Sequence, residues 1–196
     1  MEFLIAFDKG VFFAFDNTVV PNLGGWLNPV MLFFTNLGDG WTLRGALLVG
    51  VAGLATGGRF RAGVLALATF LLAIGLSTGT KGLVQRDRPA PTNPVEQVPS
   101  SYSFPSGHAL ESTATYGTLA LLAARGRRSR GARWVLIGGS MLLVGLIGFS
   151  RVYLSVHFMS DVIGGWAAGW ALALACVWLE ERWGAGPDKN KEVLAA

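Results

Sequence analysis

The most prominent pattern along this chain of 196 residues is a series of long apolar runs separated by short polar segments. The clearest run extends from Ala62 to Thr80, 19 residues without a charge. At about 1.5 Å of helical rise per residue, it nearly crosses a hydrocarbon core of about 30 Å. Three further runs have comparable length: Ser106 to Ala124, Trp134 to Ser150 and Val162 to Leu179. We predict that each is a transmembrane helix.

A fifth run, Trp41 to Gly58, is weaker because it contains Arg44, which lies close enough to its end to reach the lipid headgroups. The run from Ser106 to Ala124 contains His108 and Glu111 near its start, where the chain can still face water. The fold class predicted from this pattern is all-α, a polytopic membrane helical bundle with five clear transmembrane helices.

The first 37 residues are apolar but interrupted by polar residues, by Pro21 and by Gly24-Gly25. No uninterrupted window of 18 apolar residues exists there, so Met1 to Leu37 is predicted to be an interfacial helix with partial insertion, or a sixth span. Asp8 and Lys9 do not fit a cleaved signal peptide. We expect residues 1–183 to form a single membrane-embedded domain, followed by a polar tail, 184–196.

Composition agrees with a membrane protein, since 52% of the residues are hydrophobic and 14% are charged, against roughly 25% charged in soluble domains. Membrane lipids are therefore expected partners. Cys176 is the only cysteine, which excludes an internal disulfide and a thiolate metal cluster.

Basic residues cluster in two of the predicted loops, and they indicate the orientation of the chain in the membrane. One loop carries Arg59 and Arg61, and the other carries five arginines: Arg125, Arg127, Arg128, Arg130 and Arg133. Because short basic loops face the cytoplasm, the loop from Gln85 to Phe104 and the turn from Arg151 to His157 should lie together on the external face. The formal charge of +4 is thus a topology signal, and nucleic acid is not an expected partner.

The chain has two histidines, His108 and His157, and this topology places both at the same face. If the segment is helical, Asp161 lies on the same side as His157, where its carboxylate can accept from one ring nitrogen and leave the other as a nucleophile. Arg151 closes the preceding run and can reach the same pocket, where a guanidinium pairs well with phosphate oxygens. Taken separately, each of these residues also has an ordinary structural explanation.

Two further segments supply phosphate-binding candidates. Pro105-Ser106-Gly107-His108 opens a predicted helix, in which serine caps, glycine permits close backbone approach and the histidine is placed to protonate a leaving oxygen. Lys81 and Arg88 lie seven positions apart, so both can point to one side. Arg86 and Asp87 are expected to pair with each other at the surface, and Glu111 is expected to face water; none of these three is assigned to the site.

In this order, Lys81-x6-Arg88-Pro89, Pro105-Ser106-Gly107-His108 and Ser150-Arg151-x5-His157-x3-Asp161 resemble the type-2 phosphatidic acid phosphatase family. The wider superfamily includes bacterial acid phosphatases, glucose-6-phosphatase and vanadium haloperoxidases. The resemblance implies that Lys81, Arg88, Ser106, Gly107 and Arg151 bind the phosphoryl group. It also implies that His157, oriented by Asp161, would attack phosphorus, and that His108 would protonate the leaving oxygen and then activate water. Membrane members of the family usually have six spans.

The expected activity is hydrolysis of a lipid phosphate or diphosphate monoester through a phosphohistidine, without a metal or other cofactor. Undecaprenyl diphosphate and phosphatidylglycerophosphate are ranked first as substrates, ahead of phosphatidate and lipid A phosphate. The expected location is the bacterial inner membrane, with the site on the periplasmic face. A non-catalytic anion-binding or carrier protein and, more remotely, a vanadium-dependent oxidase are the alternatives, and the sequence leaves the oligomeric state open.

Overall fold

The structure, a computed structural model, describes residues 2–92, 94–127 and 129–184, and it is helical throughout its long apolar runs. A nearly continuous N-terminal helical segment consists of α1 (Glu2–Ala14), a π-helical turn (Phe15–Val19) and α2 (Val20–Leu37). It is followed by α3 (Gly40–Thr56) and α4 (Phe60–Val84). After a long loop come α5 (Gly107–Ser112), a second π-helical turn (Thr113–Gly117), α6 (Thr118–Arg125), α7 (Arg130–Tyr153) and α8 (Met159–Gly184).

The predicted all-helical membrane fold is confirmed, and three of the helices are long and apolar enough to cross a bilayer: α4, α7 and α8. Helix α3 is apolar but has only 17 residues. The run from Ser106 to Ala124 follows the path of α5, the second π-helical turn and α6. The predicted number of five spans therefore stays a prediction. Of the predicted tail, residues 185–196 lie outside the described residues.

Helix boundaries follow local sequence signals. Asp39 caps α3 by accepting a hydrogen bond from the Trp41 N–H at 3.0 Å, and Ser129 caps α7 by accepting from Ala132 at 3.4 Å. Helix α4 ends where Gln85 adopts a left-handed conformation with φ of 49°, four residues before Pro89. The caps thus fall in the polar breaks between the apolar runs.

The two ends of the bundle differ in chemistry. At one end, which we call the basic end, Arg59 pairs with one carboxylate oxygen of Glu180 at 2.5 Å and Arg125 pairs with the other at 2.7 Å. Both predicted basic loops therefore lie at the end where α8 finishes. The opposite end, the site end, contains the 85–106 loop and the 154–158 turn between α7 and α8.

The N-terminal helical segment contacts the site end along much of its length. Its buried polar side chains point inwards, whereas Phe13, Trp26 and Phe33 are exposed. Long-range hydrogen bonds join it to the site end through four pairs: Asp8 with Arg86, Asp16 with Thr92, Asn28 with Tyr153 and Thr35 with Arg151. These contacts hold the N-terminal segment against the site end, and the choice between an interfacial helix and a sixth span stays a prediction.

Helix α8 packs closely on α5 and the π-helical turn that follows it, because two glycines of α8 lie at the contact. A β-carbon at Gly165 would lie 2.8 Å from the Ser106 carbonyl oxygen, and one at Gly169 would lie 2.6 Å from Thr113 Cβ. A small-xxx-small pair of this kind lets helix backbones approach in a membrane protein. The close approach brings the start of α5, with His108, next to the start of α8, with Asp161.

Candidate active site

A cavity of about 390 Å³ opens at the site end, and six of the eight predicted site residues line it: Lys81, Arg88, Gly107, His108, Arg151 and His157. These residues come from the end of α4, the loop that follows it, the start of α5, the end of α7 and the 154–158 turn. The sequence analysis predicted that they lie on the same face of the membrane, and the structure places them around one cavity. Their chemical roles remain predictions.

His157 is held with its two ring nitrogens in different surroundings. Its Nδ1 lies 3.5 Å from Asp161 Oδ2 and 3.4 Å from Ser103 Oγ, while its Nε2 lies 3.0 Å from Arg88 Nη1. A guanidinium can only donate hydrogen bonds, so Nε2 must accept, and the proton of the neutral ring belongs on Nδ1. The Nε2 lone pair is therefore the one directed towards the cavity cations.

Burial, together with the charges of Arg88 and Arg151, lowers the pKa of His157 to about 4, although its hydrogen bond to Asp161 acts in the opposite direction. The side chain is only 3% exposed. A neutral imidazole with an available lone pair is the form that a nucleophile needs.

The expectation that His157 and Asp161 share a helix face is wrong in one respect, because α8 begins at Met159 and His157 lies in the preceding turn. Asp161 is in the first turn of α8, and its Oδ2 accepts from the Phe158 N–H at 2.9 Å. An acidic residue at this position that reaches back to the N-cap is half of a capping box. The helix cap, rather than helical spacing, therefore brings the carboxylate to Nδ1.

Asp161 is fully buried, and it accepts further hydrogen bonds from residues that the sequence did not indicate. Ser103 Oγ donates to Oδ2, and Arg86 Nη1 donates to Oδ1 at 2.7 Å. The expected pairing of Arg86 with Asp87 is wrong: Arg86 instead bridges Asp161 and Asp8, whose Oδ2 lies 2.7 Å from Nη2. Two buried carboxylates attract this guanidinium more strongly than one exposed neighbour does, because charge pairs strengthen away from water.

Arg88 and Lys81 are both tied to the loop that covers the cavity. Arg88 Nε donates to the Ser101 carbonyl oxygen at 2.7 Å and Nη1 donates to the Val156 carbonyl oxygen at 2.8 Å. Lys81 Nζ donates to the Tyr102 carbonyl oxygen at 3.0 Å. These contacts fix two positive charges on the cavity wall beside His157.

Arg151 is 1% exposed, and its Nη1 donates to Glu96 Oε2 at 2.8 Å and to Thr35 Oγ1. Its Nε is buried without a hydrogen-bond acceptor among the described residues. Because Arg151 lines the cavity, its positive charge would attract an anion bound there. Neither Glu96 nor Thr35 carried a sequence signal, because each lies in a segment with no recognisable motif.

The start of α5 provides the remaining predicted residues. Ser106 Oγ accepts from the Ala109 N–H at 3.5 Å, as a cap should, and Ser106 is not among the residues that line the cavity. Gly107 and His108 do line it. Glu111, which was expected to face water and was left out of the site, is half-buried and lines the same cavity, with its carboxylate close to Gly107.

Comparison with known proteins is consistent with this geometry. The family model described as the PAP2 superfamily matches residues 62–185. The chain belongs to the PAP2 superfamily. It is 34% identical to phosphatidylglycerophosphatase B of Bacillus subtilis over 146 residues. The aligned region covers 74% of this chain and 70% of that protein. It is also 34% identical over 134 residues to undecaprenyl-diphosphatase of Sulfolobus acidocaldarius, covering 66% of this chain and 59% of that one.

Two solved structures have a similar fold. The transmembrane PAP2 type phosphatidylglycerolphosphate phosphatase from Bacillus subtilis superposes with a TM-score of 0.79 at 27% identity, over 92% of this chain and 93% of that one. LpxE from Aquifex aeolicus superposes with a TM-score of 0.59 at 24% identity, over 86% and 93%, and this likeness shows the fold alone. The predicted family is confirmed, and the chain is an integral membrane member of a family of lipid phosphatases.

Proposed function

We propose that this PAP2 protein hydrolyses a lipid phosphate or diphosphate monoester through a phosphohistidine at His157. The observation that carries the proposal is the position of His157 Nε2, whose lone pair meets Arg88 at 3.0 Å on the wall of a cavity that also holds Lys81, Arg151 and His108. Phosphoryl transfer depends mainly on positioning and on stabilising charge on the equatorial oxygens. Three cations beside one nucleophile match that requirement.

In the proposed reaction, Nε2 attacks phosphorus and the bond from phosphorus to the lipid oxygen breaks. His108 donates its proton to that oxygen, which leaves as the lipid alcohol or lipid monophosphate. The Nδ1 proton stays hydrogen-bonded to Asp161, whose charge stabilises the positive phosphoimidazole. A water molecule then gives a proton to His108 and attacks phosphorus, so that inorganic phosphate leaves and His157 is restored.

The proposed chemistry requires no metal. Lys81, Arg88 and Arg151 supply positive charge to the phosphoryl oxygens, a task that magnesium performs in other phosphoryl-transfer sites. Among the described residues, no group of three or more His, Cys, Asp or Glu side chains is placed to hold a metal ion. The three cations are what supports phosphate binding by side chains.

For the substrate, we propose undecaprenyl diphosphate or phosphatidylglycerophosphate ahead of phosphatidate and lipid A phosphate. The support comes from the names of the two relatives, a phosphatidylglycerophosphatase and an undecaprenyl-diphosphatase. A lipid A 4'-phosphatase of Porphyromonas gingivalis is also similar, at 38% identity over 68 residues. The lipid headgroup would occupy the cavity while the chains stay in the bilayer.

We further propose that residues 1–183 act as one phosphatase domain in a bacterial inner membrane, with the cavity on the periplasmic side. Support comes from the arginines, which lie at the basic end, opposite the cavity, as positive-inside orientation requires. A reporter inserted in the 126–130 turn should behave as cytoplasmic, and an external signal there would reverse the orientation.

The test of function is phosphate release from four lipids in detergent: a prenyl diphosphate, phosphatidylglycerophosphate, phosphatidate and a lipid A phosphate, each with EDTA present. We expect release from at least one of the first two, and none from His157→Ala with any of them. Wild-type activity that disappears on chelation and returns with a divalent metal would contradict the metal-free reaction. Absence of release from every lipid would contradict the function.

A further inference from the structure

A buried chain of charges lies behind His157, on the side away from the cavity. Asp161 accepts from Arg86 Nη1 at 2.7 Å, and Arg86 Nη2 donates to Asp8 Oδ2 at 2.7 Å. The Asp161 side chain is fully buried and that of Asp8 is 1% exposed, whereas Arg86 retains 26% exposure. One guanidinium therefore holds two carboxylates that have almost no contact with solvent.

Asp8 has a second set of contacts that joins it to the helix of Asp161. Its Oδ1 accepts from the Ser160 N–H at 3.0 Å, and its Oδ2 accepts from Ser160 Oγ at 2.5 Å. Ser160 precedes Asp161 in the first turn of α8, where backbone N–H groups have no acceptor within the helix. Ser160 Oγ also accepts from Arg86 Nη1 at 2.6 Å. Asp8 thus acts as a remote cap for α8, supplied by α1.

The Arg86 guanidinium is also held by an aromatic ring. Arg86 stacks on Phe158, with its guanidinium carbon 4.4 Å from the ring centroid. This cation–π contact restricts the orientation of the guanidinium. Removing one partner from a buried charge cluster leaves an uncompensated charge, which costs far more than breaking an exposed ion pair. Without Arg86, Asp161 would keep the hydrogen bonds to Oδ2 from Ser103 and the Phe158 N–H, but Oδ1 would lose the guanidinium that holds it.

On this basis we propose that Arg86 and Asp8 are positioning residues that hold Asp161 and the first turn of α8 in place, so that the carboxylate grips the Nδ1 proton of His157 and the ring presents Nε2 to phosphorus. The inference deepens the proposed function and rests on it. Since Asp8 belongs to α1, the inference gives this helix a part in the reaction. Helix α1 lies outside residues 62–185, which the family model matches. The N-terminal segment is then part of the active-site support as well as a contact with the bilayer.

The expected effect falls on the chemical step and not on lipid binding, because neither Arg86 nor Asp8 lines the cavity. Groups that orient the ligands of a catalytic metal typically contribute about 10- to 100-fold to activity, and we expect the same order for groups that orient Asp161. Arg86→Gln should therefore lower kcat by about that factor while KM stays close to the wild-type value. Asp8→Asn should lower kcat less, since Arg86 would still contact Asp161.

Two comparisons separate positioning from a general loss of structure. Arg86→Lys keeps one cation and should recover part of the kcat that Arg86→Gln loses. The double variant Asp8→Asn/Arg86→Gln should be no slower than Arg86→Gln alone, because residues that act through one partner are not additive. Asp87→Asn, at the exposed neighbouring position, and Arg59→Gln, which breaks an ion pair at the basic end, are the matched controls.

A direct readout needs no substrate. The ring ¹⁵N shifts of histidine distinguish its two neutral forms, and with two histidines in the chain each signal can be assigned by replacing the other. Wild-type protein should show His157 protonated on Nδ1 at neutral pH. Arg86→Gln should change the Nδ1 shift of His157, because a less firmly held Asp161 accepts from Nδ1–H more weakly, while Nε2 stays unprotonated beside Arg88. Asp87→Asn and Arg59→Gln should match the wild type.

The outcomes separate this inference from the proposed function. If wild-type protein releases no phosphate from any lipid, the function is wrong, and the ¹⁵N spectra still test the positioning. If the wild type and both controls are active, the inference is overturned by an Arg86→Gln protein with normal kcat, or by one with reduced kcat whose His157 signals are unchanged. Should Arg86→Gln fail to fold, Arg86→Lys and Asp8→Asn provide the same two readouts.

Discussion

Arg88 Nη1 lies 3.0 Å from His157 Nε2, so a group that can only donate contacts the nitrogen that would attack phosphorus. This contact keeps the Nε2 lone pair free of a proton. When a phosphoryl group enters, the same guanidinium is placed to bind its oxygens. Arg88 would thus exchange a nitrogen acceptor for a phosphate acceptor as the substrate arrives.

The first prediction concerns pH. Burial lowers the pKa of His157 to about 4 from an ordinary value of 6.5, so the ring should stay neutral between these two pH values. The unfolded chain binds a proton in that interval and the folded chain does not, so the stability contributed by this group is present above pH 6.5 and is lost as pH falls through 4. A ¹⁵N titration of His108→Gln, in which His157 is the remaining histidine, should show a midpoint near 4, and a midpoint near 6.5 would contradict this.

The second prediction concerns Arg151. Lysine at this position can replace the contact to Glu96, but its single ammonium cannot offer phosphate oxygens the paired donors of a guanidinium. Loss of one donor to a transition-state oxygen typically lowers kcat by about 100- to 1,000-fold. Arg151→Lys should show a loss of that order in steady-state assays, with Arg133→Lys at the basic end as its control. Equal rates for the two variants would remove Arg151 from the phosphate site.

Sequence reasoning located the residues that carry local signals. Lys81, Arg88, Gly107, His108, Arg151 and His157 fall within three short blocks whose internal spacing is set by helix ends and turns, and the structure brings them to one cavity. The apolar runs likewise predicted helices, since burial in lipid imposes a length on each. Their exact ends shifted, because caps such as Asp39 and Ser129 set the boundaries rather than hydrophobicity.

The contacts that hold the site residues in place could not be predicted from the sequence, because they join residues that are far apart along the chain. Arg86 and Asp8 lie 78 positions apart, and Arg151 and Glu96 lie 55 apart. Polar residues such as Asp8 were interpreted as interruptions of an apolar segment, whereas burial of a carboxylate indicates a partner elsewhere. The adjacent pairing of Arg86 with Asp87 was the simplest local choice, but it ignored the larger gain from pairing with buried carboxylates.

The third prediction concerns His108 as the proton donor. A general acid typically contributes about 100- to 10,000-fold, and its contribution shrinks when the leaving group needs no proton. His108→Ala should therefore slow release of a lipid alcohol strongly and release of an activated phenol only slightly. Single-turnover rates with both kinds of phosphate ester would measure the difference. A loss that is the same for every leaving group would exclude the acid role.

The location of the transferred phosphoryl group tests the central claim most directly. His108→Ala, reacted with an activated phosphate ester and quenched at neutral pH, should accumulate phosphoenzyme because the water-activating base is missing. Peptide mass spectrometry should then find one phosphoryl group on His157, and His157→Ala should acquire none. A phosphoryl group on another residue, or label retained in His157→Ala, would contradict the mechanism.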